Sequence, residues 1–408
     1  MEAAVTKMKS SMAGVRPWDV AWSIPRSDAA SGRCGTAVLA LIDTREVSGP
    51  CRGLYQLVTL AAPHGVHVTV GMFARPGSRL PAVEETRRRG LPLVVLSQRR
   101  RYDASLVGQA WRVVHRERID ILQSHGYKPA LVAWCLKRLL GMPWVAFSHG
   151  YTSENRRIAL YNRLDRWLMR RADQVVVMSD AMATMFAGAG IAPARMRVIH
   201  NALDPDEYDA AADGAPLRAE CNAGPDDVLL GVIGRFSTEK GQAIFLRALS
   251  SVVASKIRVK AALIGDGLDA ERLRQLTADL KLQDYVSFTG YRRDMSTVYD
   301  ALDLVVIPSL SEGLPNVLLE AMYHRKPVVA TRVGAIPDVL AGELGRWIVP
   351  PGDGAALARA IGDAVGDERA RDVLGTAGRR VVQERFSPEQ RVERIVDVYR
   401  DVLNHAGD

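Results

Sequence analysis

The sequence predicts two α/β domains, each a doubly wound parallel sheet. Three observations carry that expectation. The chain has 408 residues, more than one ordinary core accommodates. Short apolar runs alternate with helix-length segments, the pattern of parallel strands covered by helices on both faces. Residues 204–227, rich in Asp, Ala, Gly and Pro, interrupt the alternation without apolar periodicity and read as a linker.

Taken in order, residues 1–33 show no period, are rich in Ala, Ser and Gly, and read as a poorly ordered tail. The first domain, 34–203, carries apolar runs at 37–42, 67–73, 93–96, 119–123, 144–147, 174–178 and 197–199. The second, 228–386, carries runs at 228–233, 259–264, 285–288, 302–307, 327–330 and 346–349. A last helix is expected over 387–408. Ser387 and Gln390 make a capping box, and Pro388 takes the first helical position. Val392, Ile395, Val396, Tyr399 and Val402 then recur at helical spacing, a face that must be buried.

Composition narrows the class. A hydrophobic content of 48% with 25% charged residues is that of a soluble globular protein. Cys34, Cys51, Cys135 and Cys221 are far apart, lack metal-ligand spacing and suit a reducing compartment. The most apolar stretch, 130–147, is broken by Lys137 and Arg138, so no membrane span is expected. The N-terminus lacks the apolar core of a signal peptide. A cytoplasmic protein is expected, peripheral at the inner face of the cytoplasmic membrane at most. The formal net charge is +8, with arginines clustered in the first half, among them Arg87, Arg88, Arg89, Arg99, Arg100, Arg101, Arg156 and Arg157. A solvated basic surface accounts for them, and so does attraction to anionic lipid, worth about 1 kcal/mol per residue near the surface. Nucleic acid is a poorer third, because no binding motif accompanies the charge.

The most informative stretch is 309–322, SLSEGLPNVLLEAM, which follows the run at 302–307. Pro315 favours a helix start. Glu312 and Glu320 stand with seven residues between them, one on the loop and one inside the helix. Both can face a ligand across the helix N-terminus, where free N–H groups and the positive dipole end favour phosphate. Carboxylates beside an anion are unfavourable unless each holds a hydroxyl. A nucleotide sugar offers both, a diphosphate flanked by sugar and ribose hydroxyls.

This stretch resembles the E-x7-E signature of the retaining family 4 glycosyltransferases of the GT-B fold. GVIGRFSTEKG at 231–241, LIGDG at 263–267, FTGY at 288–291 and KPVVATRVGAIPDV at 326–339 extend the resemblance in family order. It implies two Rossmann-like domains facing each other across a cleft, the last helix crossing back onto the first. It also implies metal-independent transfer of a hexose from a UDP- or GDP-linked donor to an acceptor hydroxyl. Arg235 and Lys240, after Gly234, match the family's diphosphate-binding pair and would neutralise the leaving group. Glu312 matches the residue that contacts the transferred sugar, and Glu320 the one that binds ribose hydroxyls. Gly313 and Leu314 continue the signature, and the amides of Asn316 and Val317 would meet phosphate. Gly265 and Gly290 lie on the side that holds the base, where Tyr291 either walls it or simply packs.

In the first domain the runs at 119–123 and 144–147 lead into Ser124-His125-Gly126 and Ser148-His149-Gly150. His149 fits the family histidine facing the donor sugar; His125 is a weaker candidate, lining the acceptor channel or packing structurally. Gly49 keeps one glycine of the family's Gly-Gly loop. Arg52, close behind, is assigned to an acceptor phosphate, as a polyprenyl-linked saccharide of surface polysaccharide assembly would offer. Other motifs fail: GVIGRF is not G-x-G-x-x-G, Lys240-Gly241-Gln242 is not a P-loop, and Ser148 lacks a G-x-S-x-G elbow. No cofactor, no metal and no nucleic-acid partner are expected; the partners are the donor, a glycan or lipid-linked acceptor, and an anionic membrane surface. The alternatives are a nucleotide-sugar epimerase of the same fold and a catalytically silent sugar-nucleotide-binding protein.

Overall fold

The computed structural model describes residues 35–100, 103–149, 156–205, 208 and 212–406, without the side chains of 156–160 and 406. The tail expected over 1–33, Cys34, Arg101 and Gly150 lie outside the described residues, as do the side chains of Arg156 and Arg157.

The first sheet is parallel throughout. Its strands are β1 (Thr36–Ile42), β2 (Val66–Ala74), β3 (Leu93–Ser97), β4 (Ile121–His125), β5 (Trp144–Ser148), β6 (Gln174–Val177) and β7 (Met196–Val198), in the order β3-β2-β1-β4-β5-β6-β7. The central strand β1, TAVLALI, is apolar along nearly its whole length because helices cover both faces. The second sheet, also parallel, holds β8 (Val228–Ile233), β9 (Val259–Ile264), β10 (Val286–Gly290), β11 (Leu304–Ile307), β12 (Val328–Thr331) and β13 (Ile348–Val349), in the order β10-β9-β8-β11-β12-β13. Gly231 breaks the apolar run of β8 because a Cβ there would stand 2.2 Å from Leu302 Cδ1.

The strand order reverses between β1 and β4 in one sheet and between β8 and β11 in the other. Crossovers leave these strand pairs in opposite directions, opening a crevice beyond their carboxyl ends where ligands bind in such sheets. One register detail matters. The strand expected at 119–123 is shifted two residues on, so His125 is the last residue of β4 rather than the loop after it.

The C-terminal helix Pro388–Ala406 packs into the core of the first domain. Val392, Ile395, Val396, Tyr399 and Val402 are buried there with residues of β1, β4 and β5. Arg391, on the same helix, donates from Nη1 to the Gly53 carbonyl at 2.9 Å. Only half of the expected capping box forms. Ser387 Oγ accepts from the Gln390 amide at 3.3 Å, but the Gln390 side chain donates to the Glu384 carbonyl instead of returning to Ser387. The described residues of the expected linker, with Leu203 before it, are anchored to the second domain. Ala215–Glu220 is helical, and Leu203, Tyr208, Leu217 and Cys221 are buried in the second domain. Periodicity is absent because these are single anchors and not one continuous face.

If the last helix completes the first core, Ile395→Ala should lower stability by about 2–5 kcal/mol through the cavity it leaves. Urea denaturation followed by tryptophan fluorescence measures this, and an unchanged midpoint would place the helix outside the core.

Candidate functional site

The loops that leave β8 and β11 are fastened to each other. Gly234, with φ +145°, turns the chain after β8, and Gly241, with φ +70°, ends the loop. A Cβ on Gly241 would stand 2.0 Å from the Pro308 carbonyl oxygen, so only glycine permits this approach to the end of β11. Leu310 N donates to Glu239 O at 2.7 Å, tying the second loop to the first. Lys240 Nζ thereby lies 2.7 Å from Glu312 Oε1, which also accepts from Ser309 Oγ at 2.6 Å. Arg235 turns elsewhere. Its side chain is 55% exposed and pairs with Glu239 at 2.6 Å. Burial disfavours ionised Glu239, but hydrogen bonds from its own amide, Ser237 and Arg235 outweigh it and hold the carboxyl below its usual range.

Pro315 stands one residue earlier than expected, as the extended residue before the helix Asn316–Tyr323. The amides of Asn316 and Val317 therefore open the helix. Glu320, inside it, is buried. Its Oε1 accepts from the Tyr208 hydroxyl and its Oε2 from the Tyr299 hydroxyl, each at 2.8 Å. Arg52 reaches the same group from the first domain, 3.1 Å from the Tyr208 oxygen and 3.7 Å from Glu320 Oε1. Burial, then the facing Glu320 carboxylate, pushes the Tyr299 phenol well above its ordinary range, so it stays a donor.

The two lobes meet at this helix start. A Cβ on Gly49 would lie 2.8 Å from Asn316 Nδ2, and one on Gly313 would lie 3.1 Å from the His149 carbonyl oxygen. Asn201, just after β7, donates to Asn316 Oδ1 at 3.1 Å and to the carbonyl of the buried Leu314 at 3.4 Å. The space left among Gly49, Arg52, Asn201, Tyr208, Asn316 and Glu320 is only ≈ 20 Å³. Beside it opens a cavity of ≈ 610 Å³ lined by Arg52, Arg89, Tyr208, Arg292 and Met295, with Tyr291 (71% exposed) on its rim. Gly265 N donates to Gly290 O at 2.8 Å, and a Cβ on Gly265 would collide with the Gly234 carbonyl at 2.0 Å. These glycines let the ends of β8, β9 and β10 converge.

Across the cleft His125 and His149 stack with centroids 5.1 Å apart, and His125 Nδ1 lies 2.8 Å from His149 Nε2. His125 Nε2 lies 2.6 Å from Gln123 Nε2. Both rings line a cavity of ≈ 300 Å³ with Asp43, Tyr127, Tyr161 and Asp165; Asp43 is paired with Lys128 at 2.6 Å. His149 is half-buried as a residue, but its Nδ1 is fully enclosed. Burial, reinforced by the Arg391 charge, lowers His149 to about 3, and burial followed by His149 and Arg391 pushes His125 well below 6.5. Both are neutral near pH 7.

The fold thus gathers Lys240, Glu312, Gly313, Asn316, Gly49 and His149 at one place. It sets Arg235 outward, and it puts Arg52 on Glu320 rather than with His125. Asn201, Tyr208, Tyr299 and Gln123 were not singled out from the sequence. Asn201 stands just beyond a strand end, the position that pointed to the histidines, and Tyr208 is the one aromatic residue in 204–227.

Two family models match the chain, Glycosyltransferase Family 4 over residues 47–207 and Glycosyl transferases group 1 over residues 227–367. The chain is 31% identical over 314 residues to the 2-deoxystreptamine N-acetyl-D-glucosaminyltransferase of Streptomyces fradiae, covering 71% of this chain and 72% of that protein. It is 28% identical over 308 residues to the N-acetyl-alpha-D-glucosaminyl L-malate synthase of Bacillus anthracis, covering 74% and 80%. Among solved structures, Anabaena Alr3699/HepE in complex with UDP-glucose superposes with a TM-score of 0.77 at 23% identity, covering 90% of this chain and 99% of that one. Sucrose-phosphate synthase from Thermosynechococcus elongatus gives 0.74 at 20% identity, covering 91% of this chain and 100% of that one. The fold is GT-B, with two facing parallel-sheet domains.

The histidine pair makes stability depend on pH. Their pKa values are depressed on folding, so the unfolded chain takes up protons first, as pH falls below about 6.5. The stability they contribute is complete above that value and is lost as pH drops towards about 3, where His149 itself protonates in the fold. Urea denaturation between about pH 7 and pH 5 should show a loss approaching roughly 1.4 kcal/mol per pH unit for each histidine. A His125→Gln/His149→Gln double variant should lack that component.

Proposed function

The chain belongs to family 4 of the glycosyltransferases, and on that premise we propose that it moves a hexose from a UDP- or GDP-linked donor to an acceptor hydroxyl, with retention at the anomeric carbon. The observation that carries the reading is the Lys240–Glu312 pair at 2.7 Å, at the switch point of the second sheet and on the loop that touches His149. Within the protein the ammonium and the carboxylate satisfy each other. A nucleotide sugar offers each a better partner, the diphosphate for Lys240 and a sugar hydroxyl for Glu312. The exchange leaves no buried charge unpaired. Arg235, turning from Glu239, would add a second positive charge as the bond to the leaving group lengthens.

The same exchange accounts for Glu320. Its two tyrosine donors occupy the carboxylate as ribose hydroxyls would, and the ≈ 610 Å³ cavity beside it, with Tyr291, Arg292 and Arg293, has room for a base. The helix start at Asn316 and Val317 supplies amides for phosphate. His149, neutral at the facing strand end, can hydrogen-bond a sugar hydroxyl. The acceptor oxygen attacks from the side the leaving group departs, and the departing phosphate takes its proton. Since the lobes touch at Gly49–Asn316 and Gly313–His149, donor entry requires them to part and reclose, excluding water.

For the acceptor, the ≈ 300 Å³ cavity at His125 and His149 suits a polyol. The exposed Arg87, Arg88, Arg99 and Arg112 favour an acceptor delivered at an anionic surface, a lipid-linked saccharide of surface polysaccharide assembly. No described helix is long and apolar enough to cross a membrane.

Radiolabelled UDP- and GDP-hexoses, offered with free and lipid-linked saccharides on anionic vesicles, test this reading. The label should pass to acceptor with anomeric configuration kept; epimerised donor without acceptor, or no turnover with any pair, would refute it. Lys240→Ala removes a charge-assisted bond of about 1.5–3 kcal/mol, a rate loss of roughly ten- to over a hundredfold, and activity within about twofold of wild type would exclude Lys240 from the site. Because Arg52 lies on Glu320, Arg52→Ala should raise the KM for donor and leave that for acceptor unchanged; the reverse pattern would return Arg52 to the acceptor.

A further inference from the structure

Behind His149 a line of polar groups crosses the apolar core of the first domain. It begins on the C-terminal helix, where the Tyr399 hydroxyl donates to Gln123 Oε1. That bond turns the amide nitrogen of Gln123 towards His125 Nε2, at 2.6 Å. An amide nitrogen only donates, so His125 Nε2 accepts and the neutral ring carries its proton on Nδ1. Nδ1 in turn lies 2.8 Å from His149 Nε2, which therefore accepts as well. The proton of His149 is left on Nδ1, which has no partner among the described residues. Tyr399, Gln123 and His125 are all buried, against Phe147 and the apolar side chains of the first core. In such surroundings an unmade link costs more than in water, so the direction of the first bond is passed along the whole line. Reversing the amide of Gln123 would reverse every later link and turn His149 Nδ1 from donor to acceptor.

We propose that Gln123 and Tyr399 are positioning residues for the transfer: through His125 they hold His149 as the Nδ1–H tautomer, keeping that donor for a hydroxyl oxygen of the donor sugar. The proposal rests on the reading of His149 as the histidine that faces the sugar, and on the parting of the lobes proposed above, which must open the enclosed Nδ1 to that hydroxyl. It gives the C-terminal helix a part in the chemistry as well as in the core, because the helix that carries Tyr399 also brings Arg391 to Gly53, four residues from Gly49.

The test uses the full chain labelled with ¹⁵N-histidine, the imidazole signals being assigned by difference from His125→Gln and His149→Ala. In the wild type both rings should appear as single, neutral Nδ1–H tautomers. Tyr399→Phe, which removes one oxygen atom, and Gln123→Met, which keeps the volume without the amide, should each turn His149 into a mixture of tautomers. With both variants folded by circular dichroism, kcat should fall about tenfold while the KM for donor stays within about twofold. If Gln123→Met does not fold, Tyr399→Phe alone decides. Nε2–H tautomers in the wild type, an unaltered His149 signal in the variants, or a loss confined to KM would overturn the proposal. Wild-type turnover by His149→Ala would instead refute the reading of His149, and the tautomer result would still report on the relay by itself.

Discussion

The site depends on a close approach of the two lobes at two glycines. Gly49 lies against the Asn316 amide group and Gly313 against the His149 carbonyl, and a Cβ at either would stand 2.8 Å or 3.1 Å from its neighbour. The first contact closes the first domain over the helix start; the second brings the loop of Glu312 to the loop of His149. Each sheet supplies its half at its own topological switch point, the second with the help of the glycine-only backbone at Gly234, Gly241 and Gly265. What the two halves form together depends on how closely the loops meet, and a side chain at either glycine would press on its neighbour there.

Such closeness buries charge, and each carboxylate is satisfied in a different way. Glu312 is balanced by an opposite charge, Lys240, with Ser309 completing its shell. Glu320 is held mainly by neutral donors, the hydroxyls of Tyr208 and Tyr299, with Arg52 at longer range. A buried anion without partners is costly, which explains why both carboxylates are paired within the protein. The difference suits the proposed roles. Lys240 can leave Glu312 for a phosphate only if something replaces it on the carboxylate, so binding of the sugar and of the diphosphate would be coupled through one ion pair.

The C-terminal helix adds a mechanical constraint. Its apolar face completes the core of the first domain, although the helix follows the second domain in the chain. Leu203 N, near the other crossing, donates to the Phe386 carbonyl at 3.0 Å, so the two crossings lie side by side. If the lobes part as proposed, two adjacent connections would define the axis of that movement better than a single linker. Relative movement of the lobes is then compatible with accurate reclosure at Gly49 and Gly313.

The sequence by itself determined the fold class and the second-domain half of the candidate site. Alternating apolar runs report parallel strands because burial on both faces is a local property of each segment. Glu312, the helix start at Asn316 and Glu320 lie on one strand–loop–helix unit, so spacing alone brings them near one another. The tertiary structure decided which group each one meets. Tyr208 and Glu320 are 112 positions apart, and Tyr399 and Gln123 are 276 apart. No periodicity encodes such pairs, because they arise from how separately folded elements pack. Arg52 shows the consequence. Its place after β1 was legible, but its partner was not, since a charge takes the nearest buried group of opposite sign and only the packed lobes determine which group that is.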